Sequence, residues 1–161
     1  MIPMSVLMFF TWFEKSWIGE GIRGSRWLFP AIECVHLLGL AVIGGSVLAV
    51  NLSLLGLGLG RRSAAQLWRD TWPWFAGSLA IMLGSGFLLF MSEAVKLYYH
   101  QAFWVKMSAL LLSLVFTATV QRRTALAEPD RVTLLRSRAV GLVSLLLWFL
   151  VGAAGRWIGF S

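Results

Sequence analysis

The chain has 161 residues, of which 58% are hydrophobic and 13% are charged. A soluble domain has about 45–50% apolar and roughly 25% charged residues, so this composition excludes an ordinary soluble domain. One Cys and two His exclude a disulfide framework, a cysteine-rich zinc site and a covalent haem motif. The net charge of +7 does not indicate a nucleic-acid partner, because the basic residues lie in short polar stretches between long apolar segments.

The first apolar segment, residues 4–18, is too short and too aromatic to cross a bilayer comfortably. We interpret it as an amphipathic helix that lies in the membrane interface. A Gly-rich, basic elbow at residues 19–26 is expected to follow it. A buried or re-entrant helix is the alternative for the same segment.

Four longer apolar segments follow, at about 27–55, 72–91, 102–120 and 139–157. A bilayer core of about 30 Å needs about 20 apolar residues in a helix, because the backbone finds no water there. We therefore predict an all-α fold, a transmembrane four-helix bundle, in a single integral membrane domain over residues 1–161. Small residues are expected where these helices touch, namely Gly44, Gly45, Gly77, Gly84, Gly141, Ser144, Gly152 and Gly155.

The basic residues predict how the bundle is oriented. The connections after the first and third spans hold eight of them: Arg61, Arg62, Arg69, Arg122, Arg123, Arg131, Arg136 and Arg138. The opposite side holds Lys15, Arg23, Arg26, Lys96 and Arg156. Because positive residues favour the cytoplasmic side, we expect both termini to lie outside the cytoplasm, which in a bacterium means the periplasm.

Three ionisable residues inside the spans are the first candidates for function, because such groups are costly in lipid. Glu33 and His36 lie three residues apart in the first span and so share one helix face. Lys106 lies in the third span at a depth similar to that of Glu33. An intramembrane Glu33–Lys106 ion pair is the simplest way to neutralise both charges, and a proton-carrying Glu33 is the alternative. Cys34 is interpreted as a small apolar packing residue.

The two histidines suggest a cofactor. His36 and His100 both belong to the outer half of the predicted bundle, and two imidazoles from different helices can ligate one haem b. Arg23, Arg26 or Lys96 would then lie near the haem propionates. A mononuclear copper or zinc site that uses Glu33 and His36 is a further alternative. The carboxylates are too few for a di-metal centre.

Several short elements resemble an uncharacterised bacterial family of small four-span integral membrane proteins. They are Ile22-Arg23-Gly-Ser-Arg-Trp27-Leu-Phe-Pro30, Glu33-x-x-His36-Leu-Leu-Gly39, Asn51-Leu-Ser-Leu-Leu-Gly56 and Phe103-Trp-Val-Lys106. The resemblance makes Glu33, His36 and Lys106 part of a pattern. The family tends to have Asp at the position of Asn51 and an Asn-like residue near His100, which weakens the haem hypothesis. The architecture is more distantly similar to four-helix b-type cytochromes and copper-resistance membrane proteins.

These observations favour a non-catalytic membrane protein, a small subunit or partner of a bacterial inner-membrane complex with a possible redox role. Its partners are the lipid bilayer and either another membrane protein or further copies of itself. The first alternative is a b-type cytochrome that transfers electrons through one haem held by His36 and His100. The second is a small metal- or proton-handling protein that uses Glu33 and His36.

Overall fold

The computed structural model of the chain describes residues 4–57, 62–127 and 132–159, and in these ranges all regular structure is helical. The seven helices are α1 (Met4–Glu14), α2 (Trp17–Gly24), α3 (Leu28–Leu54), α4 (Ala64–Ser92), α5 (Ala94–Tyr99), α6 (Gln101–Leu126) and α7 (Leu134–Ile158). Helices α3, α4, α6 and α7 are long and apolar enough to cross a membrane. The predicted fold class, a bundle of four membrane-spanning helices, is confirmed.

Two of the long helices begin earlier than the apolar pattern indicates. Helix α4 begins at Ala64 rather than at residue 72, and Ser63 and Gln66 close its first turn as a capping box. Helix α7 begins at Leu134 rather than at residue 139, after Thr133, whose hydroxyl accepts a hydrogen bond from the Arg136 N–H. Hydropathy finds only the apolar part of a helix, whereas capping defines where the helix starts.

The N-terminal segment forms two helices instead of one helix and an elbow. Helix α1 ends at Glu14, and Ser16 caps α2 by accepting a hydrogen bond from Gly19 N. Gly19 lies directly against the end of α4, where a Cβ atom would lie 2.5 Å from the Met91 carbonyl oxygen. Gly19 is therefore required for close packing, and most of the expected Gly-rich, basic elbow at residues 19–26 belongs to helix α2 instead.

The α1–α2 unit is fixed to the junction between α4 and α5. The Arg23 guanidinium donates to the Ser92 carbonyl at 2.9 Å and pairs with the Glu14 carboxylate at 3.2 Å. Glu14 also accepts a hydrogen bond from Val95 N in the first turn of α5. Phe10 is buried in an aromatic cluster with Phe90, Tyr98, Phe103 and Trp104. Because one side of α1 is buried in protein, α1 covers one end of the bundle.

The four long helices pack with α3 at the centre, against α4 on one side and α7 on the other, while α6 packs on α7. Glycines allow two close approaches. A Cβ at Gly39 would lie 3.3 Å from the Ser78 carbonyl of α4, and one at Gly141 would lie 3.2 Å from the Asn51 carbonyl of α3. Five glycines predicted at helix contacts instead have open space beside them, namely Gly44, Gly45, Gly77, Gly84 and Gly152.

The bundle has two ends. The N-terminal end is where α3 and α6 begin and where α4 and α7 end. The linker end is where α3 and α6 end and where α4 and α7 begin. An apolar core cluster that includes Ile43, Met82, Leu110 and Val151 lies between the two ends.

Candidate functional site

The sequence places Glu33 and His36 on one face of α3, but in the structure their side chains lie on different sides of that helix. Glu33 lies on an exposed face of α3, whereas His36 is half-buried and directed toward α4. Three residues turn an α-helix by roughly 300°, so the two side chains are about 60° apart. This difference is enough to place one outside the bundle and the other inside. Cys34 is also exposed and does not fill a gap in the core.

The ring of His36, on α3, packs closely against α4. Its Nδ1 lies 3.1 Å from the Ser85 hydroxyl, which donates its own proton to the Ile81 carbonyl at 2.7 Å. With the Ser85 proton engaged by Ile81, His36 Nδ1 can donate to the Ser85 oxygen. A Cβ on Gly86 would lie 3.0 Å from the His36 Cε1 atom, so a larger residue at this position would require the ring to shift.

Lys106 is half-buried on α6 and extends toward α7. Its Nζ and Cε atoms would each lie 3.5 Å from a Cβ at Gly155, so the lysine side chain lies along the surface that this glycine leaves open. Lys106 therefore lies on the inside of the bundle, beside α7.

Glu33 and Lys106 do not meet in the structure. The ion pairs between described residues are Glu14–Arg23, Asp70–Arg62 and Glu93–Lys96. Within residues 4–57, 62–127 and 132–159, no group of three or more His, Cys, Asp or Glu side chains could hold a metal ion. The ion pair and the metal site that the sequence suggests stay predictions without geometric support.

His100 lies at the junction of α5 and α6, six residues before Lys106, and is half-buried. Six helical residues correspond to about 9 Å along the axis. Two nitrogens on either side of one metal ion must lie roughly 4 Å apart, since metal–imidazole bonds are about 2 Å long. His36 lies level with Ser85 and Gly86, well inside the bundle. Haem ligation by the two histidines stays a prediction that needs an inward shift of His100.

A second polar cluster, which the sequence does not reveal, lies at the linker end. Gln121 Nε2 donates to Asn51 Oδ1 at 3.0 Å, and Asn51 Nδ2 donates to Ser144 Oγ at 3.0 Å. These three residues come from α6, α3 and α7, and they are at most 1% exposed. Beside them, Trp148 Nε1 donates to Thr117 Oγ1 at 3.2 Å. We call Asn51, Gln121 and Ser144 the amide cluster.

A π-helical turn positions the amide cluster. Residues Thr117–Gln121 within α6 form this wider turn. Such turns are inserted as single-turn bulges in α-helices and occur often at functional sites. Gln121 is followed by Arg122 and Arg123, so in the sequence it resembles the start of a polar connection. The turn places Gln121 at 1% exposure instead.

A crevice adjoins the amide cluster, between α3, the first turns of α4 and the π-helical turn of α6. The crevice is open and small, with room for about one water-sized group. The residues that line it include Ser46, Trp68, Thr71, Trp72, Thr117 and Gln121. Gln121 Oε1 and Thr124 Oγ1 are buried and have no hydrogen-bond partner among the described residues. Such groups are costly, which marks this part of α6 as a candidate functional region.

Comparison with known proteins gives a family without a known activity. A family model described as a family of unknown function (DUF6644) matches residues 9–161. No curated protein matches the chain, and no solved structure does. The match covers nearly the whole chain and confirms that it belongs to an uncharacterised family. A similarity to b-type cytochromes is not among the matches.

Proposed function

The chain belongs to the DUF6644 family of unknown function, and from that premise we propose that it is a non-catalytic subunit of a bacterial inner-membrane complex. The observation that supports this proposal most strongly is the position of Glu33. This residue is a carboxylate on the exposed face of an apolar spanning helix, and no described residue forms an ion pair with it. A charge inside a membrane is costly unless it is paired, so the absence of an ion pair between Glu33 and the described residues supports a partner that supplies the opposite charge.

The surface around Glu33 suits another helix. Glu33, Leu37, Ala41, Gly44 and Leu48 are all exposed and recur along one side of α3. We call these five residues the Glu33 face. Nothing lies within 4 Å of a Cβ at Gly44, and the small residues between two leucines allow a second backbone to approach closely.

The proposed partner is a membrane-spanning helix of a different protein that carries a Lys or Arg at the depth of Glu33. A second copy of this chain is less suited to pair with Glu33. Lys106 lies inside the bundle against Gly155, and Arg156 already has an interaction partner. The proposal includes the orientation with both termini in the periplasm, because Arg62, Arg69, Arg122, Arg123, Arg136 and Arg138 all lie at the linker end.

Site-specific photo-crosslinking in the native membrane tests the partner. A photoreactive residue at Leu37 is expected to form one stoichiometric adduct with another membrane protein. The same residue at Leu111, which is 65% exposed on α6, is the matched control and is expected to form none. Glu33→Lys is expected to abolish the adduct, and a Lys- or Arg→Glu change in the partner's helix is expected to restore it.

Two results would contradict the proposal. An adduct between two copies of this chain would show self-association through the Glu33 face. An adduct that survives Glu33→Lys would show that charge does not select the partner.

A b-type cytochrome is the second candidate, and His36 is the observation that favours it. A histidine that ligates a metal usually donates its other ring N–H to a fixed acceptor, and Ser85 holds His36 Nδ1 in this way. The purified protein is then expected to have a reducible Soret band that is lost in His36→Ala. A colourless protein without iron rules this candidate out. A metal site that uses both Glu33 and His36 gains no support, because the two side chains diverge.

A further inference from the structure

The basic residues divide between the two ends of the bundle by type. The three lysines of the chain, Lys15, Lys96 and Lys106, all lie toward the N-terminal end. The basic residues described at the linker end are all arginines, and each is exposed: Arg62, Arg69, Arg122, Arg123, Arg136 and Arg138. We call these six residues the arginine surface. A ligand of this surface is therefore one that guanidinium groups recognise.

The charge of the arginine surface is largely uncompensated. Among the described residues of the linker end, Asp70 is the acidic one, and it pairs with Arg62 at 3.5 Å. Arg138 lies beside the end of α3, with its Nη2 atom 3.8 Å from the Cβ position of Gly56, so the negative helix terminus offsets part of its charge. No ion pair with a described residue is formed by the remaining four, Arg69, Arg122, Arg123 and Arg136. In the full sequence the two connections at this end hold eight arginines and three acidic residues, so an excess of positive charge remains.

The end of α6 is the centre of the arginine surface. The segment Arg122–Leu126 follows the π-helical turn and packs against both α4 and α7. Arg122 and Arg123 therefore lie on the segment that joins Arg69 of α4 to the two arginines of α7. A ligand at the middle of this surface contacts the end of α6 first.

Exposed apolar side chains lie next to the arginines. Leu135 is 80% exposed and directly precedes Arg136. Trp72 is 44% exposed and follows Arg69 by three residues, about one helical turn. A surface that mixes guanidinium groups with exposed leucine and tryptophan suits the level where the hydrocarbon of a membrane meets water. A soluble polyanion such as a nucleic acid would leave these apolar side chains in water, so the surface favours a lipid.

The phosphate group of a phospholipid matches this surface chemically. A guanidinium group donates two parallel N–H bonds to phosphate oxygens, whereas a lysine amine acts as a point charge. A zwitterionic lipid neutralises its phosphate with its own amine, but an anionic lipid leaves that charge for the protein to neutralise. Arginines without ion-pair partners therefore favour the anionic lipid.

We propose that the arginine surface binds the phosphate group of an anionic phospholipid, with Arg122 and Arg123 as the central contacts. The acyl chains of the lipid lie along the exposed apolar side chains of the spanning helices. This binding needs no partner protein, so it succeeds or fails independently of the contact proposed for Glu33.

Native mass spectrometry of the full chain, released from lipid nanodiscs, tests the proposal. The nanodiscs contain equal amounts of phosphatidylglycerol, which is anionic, and phosphatidylcholine, which is zwitterionic, with identical acyl chains. The chain is expected to retain phosphatidylglycerol with a preference of roughly tenfold, because each arginine near a membrane surface strengthens the attraction severalfold. Equal retention of the two lipids would overturn the proposal.

Two double variants remove the same charge from opposite ends of the bundle. Arg122→Gln with Arg123→Gln is expected to lower the preference for phosphatidylglycerol roughly fivefold. Lys15→Gln with Arg26→Gln is the matched control, because both residues are exposed at the N-terminal end, and it is expected to leave the preference unchanged. Equal losses in the two double variants would show that net charge, rather than the arginine surface, selects the lipid.

A third double variant separates guanidinium geometry from charge. Arg122→Lys with Arg123→Lys keeps the charge and is expected to lose roughly half of the preference, because the paired N–H bonds are lost. Full retention of the preference would overturn the role of the guanidinium groups. Inorganic phosphate in excess, at constant ionic strength, is expected to leave the lipid bound, since it has no acyl chains. Displacement of the lipid by inorganic phosphate would show a site for a soluble anion instead and would also overturn the proposal.

Discussion

At the scale of single residues, the packing of Gly86 against His36 predicts how a Gly86 variant changes stability. A methyl group there would lie 3.0 Å from His36 Cε1, which is too close unless the ring moves. Gly86→Ala is therefore expected to lower the free energy of unfolding by about 1–3 kcal/mol, as overpacking does. The measurement is equilibrium unfolding in mixed micelles of increasing denaturing detergent.

Gly84→Ala is the matched control for Gly86→Ala. Gly84 lies on the same helix, two residues earlier, with open space where its Cβ would be. This variant is expected to keep the stability of the unmodified protein or to exceed it, because alanine favours the helix over glycine. Equal losses in the two variants would show that the His36 ring does not depend on Gly86.

The second prediction at this scale concerns the stability of Lys106 and Glu33 variants. Because the two side chains do not meet, their effects on stability are expected to be independent. Lys106→Met is expected to leave the free energy of unfolding unchanged or to raise it by up to about 2 kcal/mol, since it removes a half-buried charge from the membrane. An ion pair with Glu33 predicts the opposite sign.

A double-mutant cycle with Lys106→Met and Glu33→Gln measures the coupling between the two residues. We expect a coupling energy below about 0.5 kcal/mol, the additivity limit for distant sites. A coupling well above this value would restore the ion pair that the sequence suggests.

At the scale of secondary-structure elements, the amide cluster joins three helices that the sequence leaves unconnected. Ser144→Ala removes the hydroxyl that accepts the Asn51 Nδ2 proton, so α3 and α7 lose a buried bond. The expected loss is about 1 kcal/mol, which is usual for a hydrogen bond between membrane helices. The same unfolding measurement applies.

Ser113→Ala is the control at this scale. Ser113 is also fully buried, but its hydroxyl donates only to the Ala109 carbonyl of its own helix. Its removal is expected to change stability little. A loss as large as that of Ser144→Ala would mean that any buried hydroxyl matters equally, whichever helix it bonds.

The elements also show which local features hydropathy detects. Apolar length predicts α3 almost to the residue, because both its ends coincide with the end of the apolar run. It misses the first turns of α4 and α7, which are polar and depend on Ser63 and Thr133 as caps. It also misses α2, because glycines suggest an elbow there, whereas Gly19 allows that helix to pack against α4.

At the scale of the whole molecule, composition was sufficient to predict four membrane spans but not which side chains face each other. Rotation of α3 decides that Glu33 lies outside and His36 inside, and this depends on packing with α4 and α7. The amide cluster was not predicted because an inward Gln121 needs a π-helical turn, which has no clear signature in the residues. The sequence singles out Asn51 on the helix face of Glu33 and His36 and in the family resemblance, but not as a partner of Gln121.

The same rotation determines how the molecule meets its surroundings. The outward glycines and Glu33 lie on the exposed side of α3, while His36, Lys106 and the amide cluster lie within the bundle. The apolar cluster around Ile43 and Met82 separates the two inner polar regions. Recognition of a partner is therefore assigned to the exposed side of α3 that carries Glu33.

The most direct test of the central claim uses Cys34, the one cysteine of the chain, which is exposed beside Glu33 on α3. Its rate of labelling by a lipid-soluble maleimide can be compared between native membranes and vesicles that contain the purified protein alone. If another protein covers the Glu33 face, Cys34 reacts rapidly in the vesicles and is protected in native membranes, and Glu33→Lys removes that protection. Equal labelling rates in the two membranes would contradict the account.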